Sequence, residues 1–388
     1  MMKTTSIAIL LTILCSVLLA AQENNADSTE SGYVFTTATQ LPATPVKNQY
    51  RTSTCWSFSS ISLLESELMR MGRGEFDLSE MFVVRHVYRG KAEKYVRLHG
   101  KAQLAGGGAF NDVVKVLREY GMVPDAACPG IAYEEEKHVH GELDGVIKGY
   151  VDAVVKNRNG RLTPVWKQGL AGILDAYLGP YPSEFSWEGG RHSPRSFADE
   201  VLQLDPADYV LLSSYTHHPF YSQFVLEVPD NWDYGLVHNV PLDELMATLD
   251  YALNNGYTVA WASDVSEKGF DYRKGLAVLP AKDWDDMRKD ERDSVFIMPV
   301  AQKTVTQELR QRAFDNYGTT DDHGMHIIGT ATDQNGDPYY YVKNSWGVER
   351  SRYDGHFYAS AAFVACKTMS IMLHRDAIPP ALRQKLGL

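Results

Sequence analysis

The sequence predicts an α+β fold in which helices dominate the first half and strands are concentrated in the second. Two observations carry this. Apolar residues recur at three- and four-residue steps in several early segments. Short β-branched and aromatic runs, bounded by turn residues, follow later. A third observation sets the scale: 388 residues with 44% hydrophobic content can bury a sizeable core, as one large or two small domains. The net charge of −11 argues against nucleic acid as a partner, because a phosphate backbone needs a basic face.

Residues 1–21 read as a signal peptide. Lys3 precedes an apolar run, Ile7 to Leu19, and Ala20-Ala21 is small enough for cleavage. That run is shorter than the about 20 residues a membrane span needs, and no other stretch is long enough. The protein is therefore expected to be exported, periplasmic or secreted, with no stable membrane span. Residues 22–32 are polar and read as a linker. The folded domain is expected over 33–388.

Within it, Phe58, Ile61, Leu64, Leu68 and Met71 predict a helix over 55–71, closed by Gly72. Val113, Val114 and Leu117 predict another over 110–119, and further helices fit 143–156 and 164–177. Residues 180–235, rich in Pro, Ser, Trp and Tyr, read as an irregular insert with short strands at 209–214 and 222–228. Its aromatics suggest a packed core. A helix fits 242–254 and a strand 258–262, and the charged run 283–293 reads as a solvated surface. Two strands, 323–332 and 338–344, flank the turn-rich Asp333-Gln-Asn-Gly-Asp337.

Removal of the signal leaves Cys55, Cys128 and Cys366, so at least one thiol is unpaired; a bridge between Cys128 and Cys366 stays open. Cys55 begins the first predicted helix. Unpaired N–H groups and the positive end of the dipole favour a thiolate there, lowering a cysteine from its usual ~8.5. Gln49 lies six residues earlier. Its side-chain amide, with the Cys55 N–H, suits the oxyanion of acyl transfer.

Gln49, Cys55-Trp56-Ser57-Phe58-Ser59, Asp322-His323-Gly324-Met325 and Lys343-Asn344-Ser345-Trp346-Gly347 together resemble, in order, the active-site blocks of papain-like cysteine peptidases. Gly107-Gly108-Ala-Phe-Asn-Asp112, Glu184-Phe-Ser-Trp187 and Val240-Pro-Leu-Asp to Thr258-Val-Ala-Trp261 are similar to segments of the bleomycin hydrolase (aminopeptidase C) branch. The resemblance implies a two-lobed papain-like fold with a large insertion: a helical lobe with the insertion over about 45–235 and a β-rich lobe over about 240–375. It implies Cys55 as nucleophile, His323 as base, Asn344 as the group orienting the imidazole, and Gln49 as oxyanion donor. Trp346 would shield the Asn344–His323 bond, and Gly107 and Gly108 would pair with the substrate backbone. The implied activity is cysteine peptidase on a peptide or protein substrate, aminopeptidase or endopeptidase, without cofactor. A peptide-binding pseudoenzyme and an acyl transferase are the other readings, and a homo-oligomer stays open.

His326 also lies on the predicted His323 strand, but three residues apart the two point to opposite faces. In an ideal hairpin Asn344 would face Ile327, so a bulge or a lopsided loop must slide it toward His323. Tyr50 stands where a Gly is common, and the usual cysteine just before the nucleophile is missing. The end, Pro379 to Leu388, is expected to fall short of the arm that confines the bleomycin hydrolase branch to free amino termini. No metal is expected at His138-Val-His140 or His217-His218, which lack a partner at a recognised spacing. Asp333 to Asp337 is a turn and not a calcium loop.

Overall fold

The computed structural model describes residues 32–388; the expected signal peptide and nearly all of the polar linker lie outside the described residues. Five helices build one lobe: α1 (Cys55–Arg70), α2 (Glu80–Arg97), α3 (Phe110–Tyr120), α4 (Gly141–Val155) and α5 (Val165–Leu178). Four of these match the predicted segments within two residues. The exception, α2, was not predicted, although Val84, Val87, Tyr88, Ala92 and Tyr95 carry a helical period and Ser79 caps it by accepting the Phe82 N–H. Its buried face also holds Arg85 and Lys91, which blur the apolar stripe. Helix α1 is central. Every residue from Trp56 to Leu68 is buried, and five of them are serines, whose small side chains permit close approach on all sides.

The strands are β1 (Thr36–Gln40), β2 (Phe185–Trp187), β3 (Gly190–His192), β4 (Tyr209–Ser213), β5 (Gln223–Val225), β6 (Leu236–Asn239) and β7 (Val259–Ser263). They continue with β8 (Phe270–Asp271), β9 (Leu276–Ala277), β10 (His323–Thr332), β11 (Pro338–Lys343), β12 (His356–Ser360) and β13 (Thr368–His374). All but the β2–β3 hairpin join one sheet, ordered β5-β6-β4-β13-β7-β10-β11-β12-β9-β8, with β1 also on β10. The sheet divides two cores, as two-residue alternation requires. On β7, Ala260 faces the helical lobe, while Val259 and Trp261 face a second core with Leu245, Leu249 and Leu253 of the helix Leu242–Asn254.

One lobe boundary moves. The sequence places residues up to about 235 with the helices, yet β4 pairs with β13 and β6 pairs with β4. The sheet thus begins near Tyr209, because the all-buried run Tyr209–Ser213 finds its partners about 160 residues downstream, beyond the reach of local pattern. The aromatics of the insert do pack as core: Trp187 stacks on Phe76 at 5.6 Å and meets Phe197 edge-on. Cys128 and Cys366 are both free, buried thiols, so the bridge left open by the sequence does not form. Among the described residues no helix is long and apolar enough to cross a membrane.

Candidate active site

Cys55 is the first residue of α1, and no side chain caps that end. The β10 strand lies directly across it. A Cβ on Gly324 would come within 2.9 Å of Ser59 Oγ and 3.2 Å of the Trp56 nitrogen, so only glycine lets β10 approach the first turn and deliver His323.

Of the two expected devices a bulge is present, between Ile327 and Gly329. It pairs His326 with Lys343, so Asn344, one step on, is drawn past Ile327 toward His323. The His323 Nε2 then lies 2.7 Å from Asn344 Oδ1. The same oxygen accepts the Ser345 N–H at 2.7 Å. Two N–H donors converge on one atom, which fixes the amide orientation and makes Nε2 the protonated nitrogen. Nδ1 is thereby left as the nitrogen with the free lone pair. Asn344 Nδ2 is buried without a partner, the cost of giving both bonds to the oxygen. Trp346 stacks on the imidazole, ring centres 4.5 Å apart, with Phe270 and Tyr272 edge-on behind it.

Gln49 is buried, and its backbone N–H donates to the Ser345 carbonyl at 2.8 Å. Its Oε1 accepts from Ser345 Oγ at 2.8 Å, which leaves the amide hydrogens to donate. The loop before Cys55 is thus zipped to the loop carrying Asn344 and Trp346; Asn48 pairs with Trp346. Tyr50 takes φ 50°, a left-handed conformation that glycine enters freely. His326 is separate from this constellation, with Nδ1 2.9 Å from Ser62 Oγ.

Electrostatics depart from the expected low-pKa cysteine. Burial pushes the Cys55 thiol up to about 12, and the charges of Asp321 and Asp230 add to it; hydrogen bonds from the Gly324 and Trp56 backbone pull the other way. Burial pushes His323 down to about 4, opposed by its bond to Asn344. Desolvation is the largest influence on both groups, and it favours the uncharged form of each. Charge separation between them needs one internal proton transfer, after which each charge offsets the other.

Cys55 and His323 share a cleft with Trp56, Gly108, Asp230, Asp321 and Asp322. Gly107 and Gly108 were expected to pair with substrate. Here the Gly107 carbonyl accepts from Lys91 Nζ, and Asp230 covers its α-carbon. Gly108 packs its α-carbon on Trp56. Asp230 and Asp321 escaped the sequence reading; the one signal was the acidic pair Asp321-Asp322 just before His323. The His217-His218 pair, judged to lack an acidic partner, meets Glu227 in space. The three ligand atoms lie within 4.8 Å of one another, with Glu227 hydrogen-bonded to both imidazoles. Chain spacing could not show this contact, which the fold of the insert creates. His138 instead packs edge-on to Phe58, and His140 Nδ1 lies 3.2 Å from Tyr88 OH.

A profile described as the Peptidase C1-like family matches residues 184–387, more than half of the chain, and takes in His323, Asn344 and Trp346. The chain belongs to this family. It is a cysteine-type peptidase of α+β, papain-like fold. It is similar to aminopeptidase G of Lactobacillus delbrueckii subsp. lactis, 21% identical, covering 87% of this chain and 82% of that protein. It is also similar to aminopeptidase C of Listeria monocytogenes, at 21% identity over 94% of this chain and 87% of that one. Cysteine proteinase 1, mitochondrial, of Saccharomyces cerevisiae is 20% identical over 91% and 79% of the two chains. Among solved structures, PepW from Lactobacillus rhamnosis superposes with a TM-score of 0.70 at 18% identity, covering 92% of this chain and 85% of that one.

Proposed function

We propose that the protein is an aminopeptidase that uses Cys55 as nucleophile and His323 as base. The observation that carries this is the His323 Nε2–Asn344 Oδ1 bond at 2.7 Å, which directs Nδ1 away from Asn344 in the cleft headed by Cys55. Cys55 gives its proton to His323 Nδ1 while sulfur attacks the scissile carbonyl carbon. The oxyanion that forms is held by Gln49 Nε2 and the Cys55 N–H. The intermediate collapses as His323 returns the proton to the leaving amine, giving a thioester. Water, deprotonated by His323, then releases the acid and restores the thiol. Trp346 keeps water from the His323–Asn344 bond. The names of the relatives support a free-amino-terminus substrate. Comparison of free and N-acetylated peptides by mass spectrometry tests this, with Cys55→Ala as control. Single residues released from free peptides, and no turnover by Cys55→Ala, are expected. Internal cuts in blocked peptides would make the protein an endopeptidase, and activity without Cys55 would sink the assignment.

We also propose export to the periplasm or medium, supported by Lys3 and the apolar run Ile7 to Leu19. A mature protein that begins after Ala21, read by amino-terminal sequencing, is the expected result; an intact Met1 in the exported fraction would count against it.

A further inference from the structure

We propose that Asp230 and Asp321 form an anionic clamp for the α-ammonium group of the first substrate residue. The clamp rests on the reading of Cys55 as the attacking atom. In a peptide, a single carbon separates the α-nitrogen of the first residue from its carbonyl carbon. A group that recognises the free amine must therefore lie beside the nucleophile. Asp230 and Asp321 line the same cleft as Cys55 and His323, and the thiol feels both charges.

Their neighbours are satisfied, and Asp321 is not. Asp322 accepts the N–H groups of Val265 and Ser266, both at 2.9 Å. Asp264 accepts the Thr320 N–H at 2.7 Å and the Ser266 N–H at 3.0 Å. Asp321 makes no hydrogen bond or ion pair among the described contacts. Its half-buried carboxyl is pushed up to about 7 by desolvation, with Asp230, Asp322 and Asp264 adding repulsion. A partly desolvated carboxyl whose charged neighbours are all carboxylates lacks a cation.

Asp230 supplies the second arm and closes the path beyond it. A Cβ on Gly107 would clash with both Asp230 carboxylate oxygens. The carboxylate therefore lies on the Gly107 α-carbon, and the Gly107 carbonyl is taken by Lys91. A chain extended past its first residue along Gly107 would meet a carboxylate; an ammonium there would meet its counter-ion. The segment is braced by hydrogen bonds on either side of Asp230. Trp232 Nε1 donates to Asp112 Oδ2 at 2.8 Å, and Asn231 Nδ2 donates to the Leu226 and Gly235 carbonyls at 3.0 and 2.9 Å. Other charged groups around the clamp are accounted for. Lys91 of α2 attracts Asp230 but is bound to the Ala105 carbonyl at 2.6 Å as well as to Gly107. Gln103 also bonds Asp230. Asp112 of α3 is bound to Trp232 and to the Ala109 N–H, and Lys367 is paired with Glu267.

The test is calorimetry on Cys55→Ala protein, which keeps the cleft without turnover. Leucinamide, N-acetyl-leucinamide and N-acetyl-lysinamide are titrated at neutral pH. Leucinamide is expected to bind about tenfold or more tighter than either acetylated amide, the scale of a charge-assisted hydrogen bond. Adding Asp230→Asn or Asp321→Asn should shrink that margin to about threefold or less, since one arm is then neutral. Equal binding of leucinamide and N-acetyl-leucinamide overturns the clamp whatever the activity of the enzyme. So does a margin that survives both substitutions. Tight binding of N-acetyl-lysinamide would reassign the carboxylates to a basic side chain. Turnover by Cys55→Ala, by contrast, would overturn the nucleophile and leave these affinities standing.

Discussion

Asn344→Ala isolates the bond on which the proposed mechanism turns. Asn344 Oδ1 accepts from His323 Nε2 and from the Ser345 N–H, both at 2.7 Å. Alanine leaves both donors without that acceptor and removes the buried, unpaired Nδ2. Burial disfavours the imidazolium, so most of the bond's value appears once His323 takes the Cys55 proton and becomes cationic. A hydrogen bond to a charged group is worth about 1.5–3 kcal/mol, so kcat should fall roughly 10- to 150-fold with little change in KM. The Asn344 bond raises the His323 pKa against burial, so the variant should also hold its base unprotonated to lower pH. Steady-state rates on a fluorogenic aminoacyl amide across pH measure both effects, and circular dichroism checks the fold. A kcat within twofold of the parent (about 0.4 kcal/mol by the same conversion) would show that Asn344 does not support the imidazole.

The pH profile gives a second check. His323 sits near 4, so the base is present above that value and lost as pH falls through it; the acid limb of kcat should lie near 4 and not near the usual ~6.5. For free-amine substrates kcat/KM should already decline as pH falls through about 7, where Asp321 takes up its proton. Matching limbs in both parameters would contradict this. Glu65→Ala tests the join between α1 and the sheet. Glu65 accepts from Thr44 Oγ1 at 2.5 Å and the Leu78 N–H at 2.9 Å, beside the buried Lys343. Removing one member of such a buried set costs about 3–5 kcal/mol. A lower urea midpoint at unchanged slope is expected, and an unshifted midpoint would refute it.

Local pattern made much of this molecule legible. The α1 stripe, the β10–β11 turn and the Cys55, His323 and Asn344 blocks all lie within short windows, and their geometry follows from helical and strand periods. Even a shift in the hairpin was implied, since an ideal one leaves Asn344 too far along; the choice of a bulge over a lopsided loop was not. Helix α2 was not read because its buried cations are satisfied remotely: Lys91 by the loop at 105–107, and Arg85 by the Gly179 carbonyl at 2.8 Å and Asp175. No window on α2 contains those partners. The lobe boundary moved for the same reason, because β4 finds β13 across a long chain interval.

The sequence by itself determined which chemical groups meet: a thiol at a helix start, an imidazole on a strand, and amides to orient and stabilise. Only the tertiary structure decided the charge states of those groups and what surrounds them. The helix terminus predicted a low thiol pKa, but enclosure by β10 and the carboxylates of Asp321 and Asp230 pushes it up. Desolvation and Coulomb terms depend on every atom within several ångströms, whatever its position in the chain. That dependence is why Asp230, 175 residues from Cys55 in sequence, comes to act on the same thiol and cover the glycine beside it.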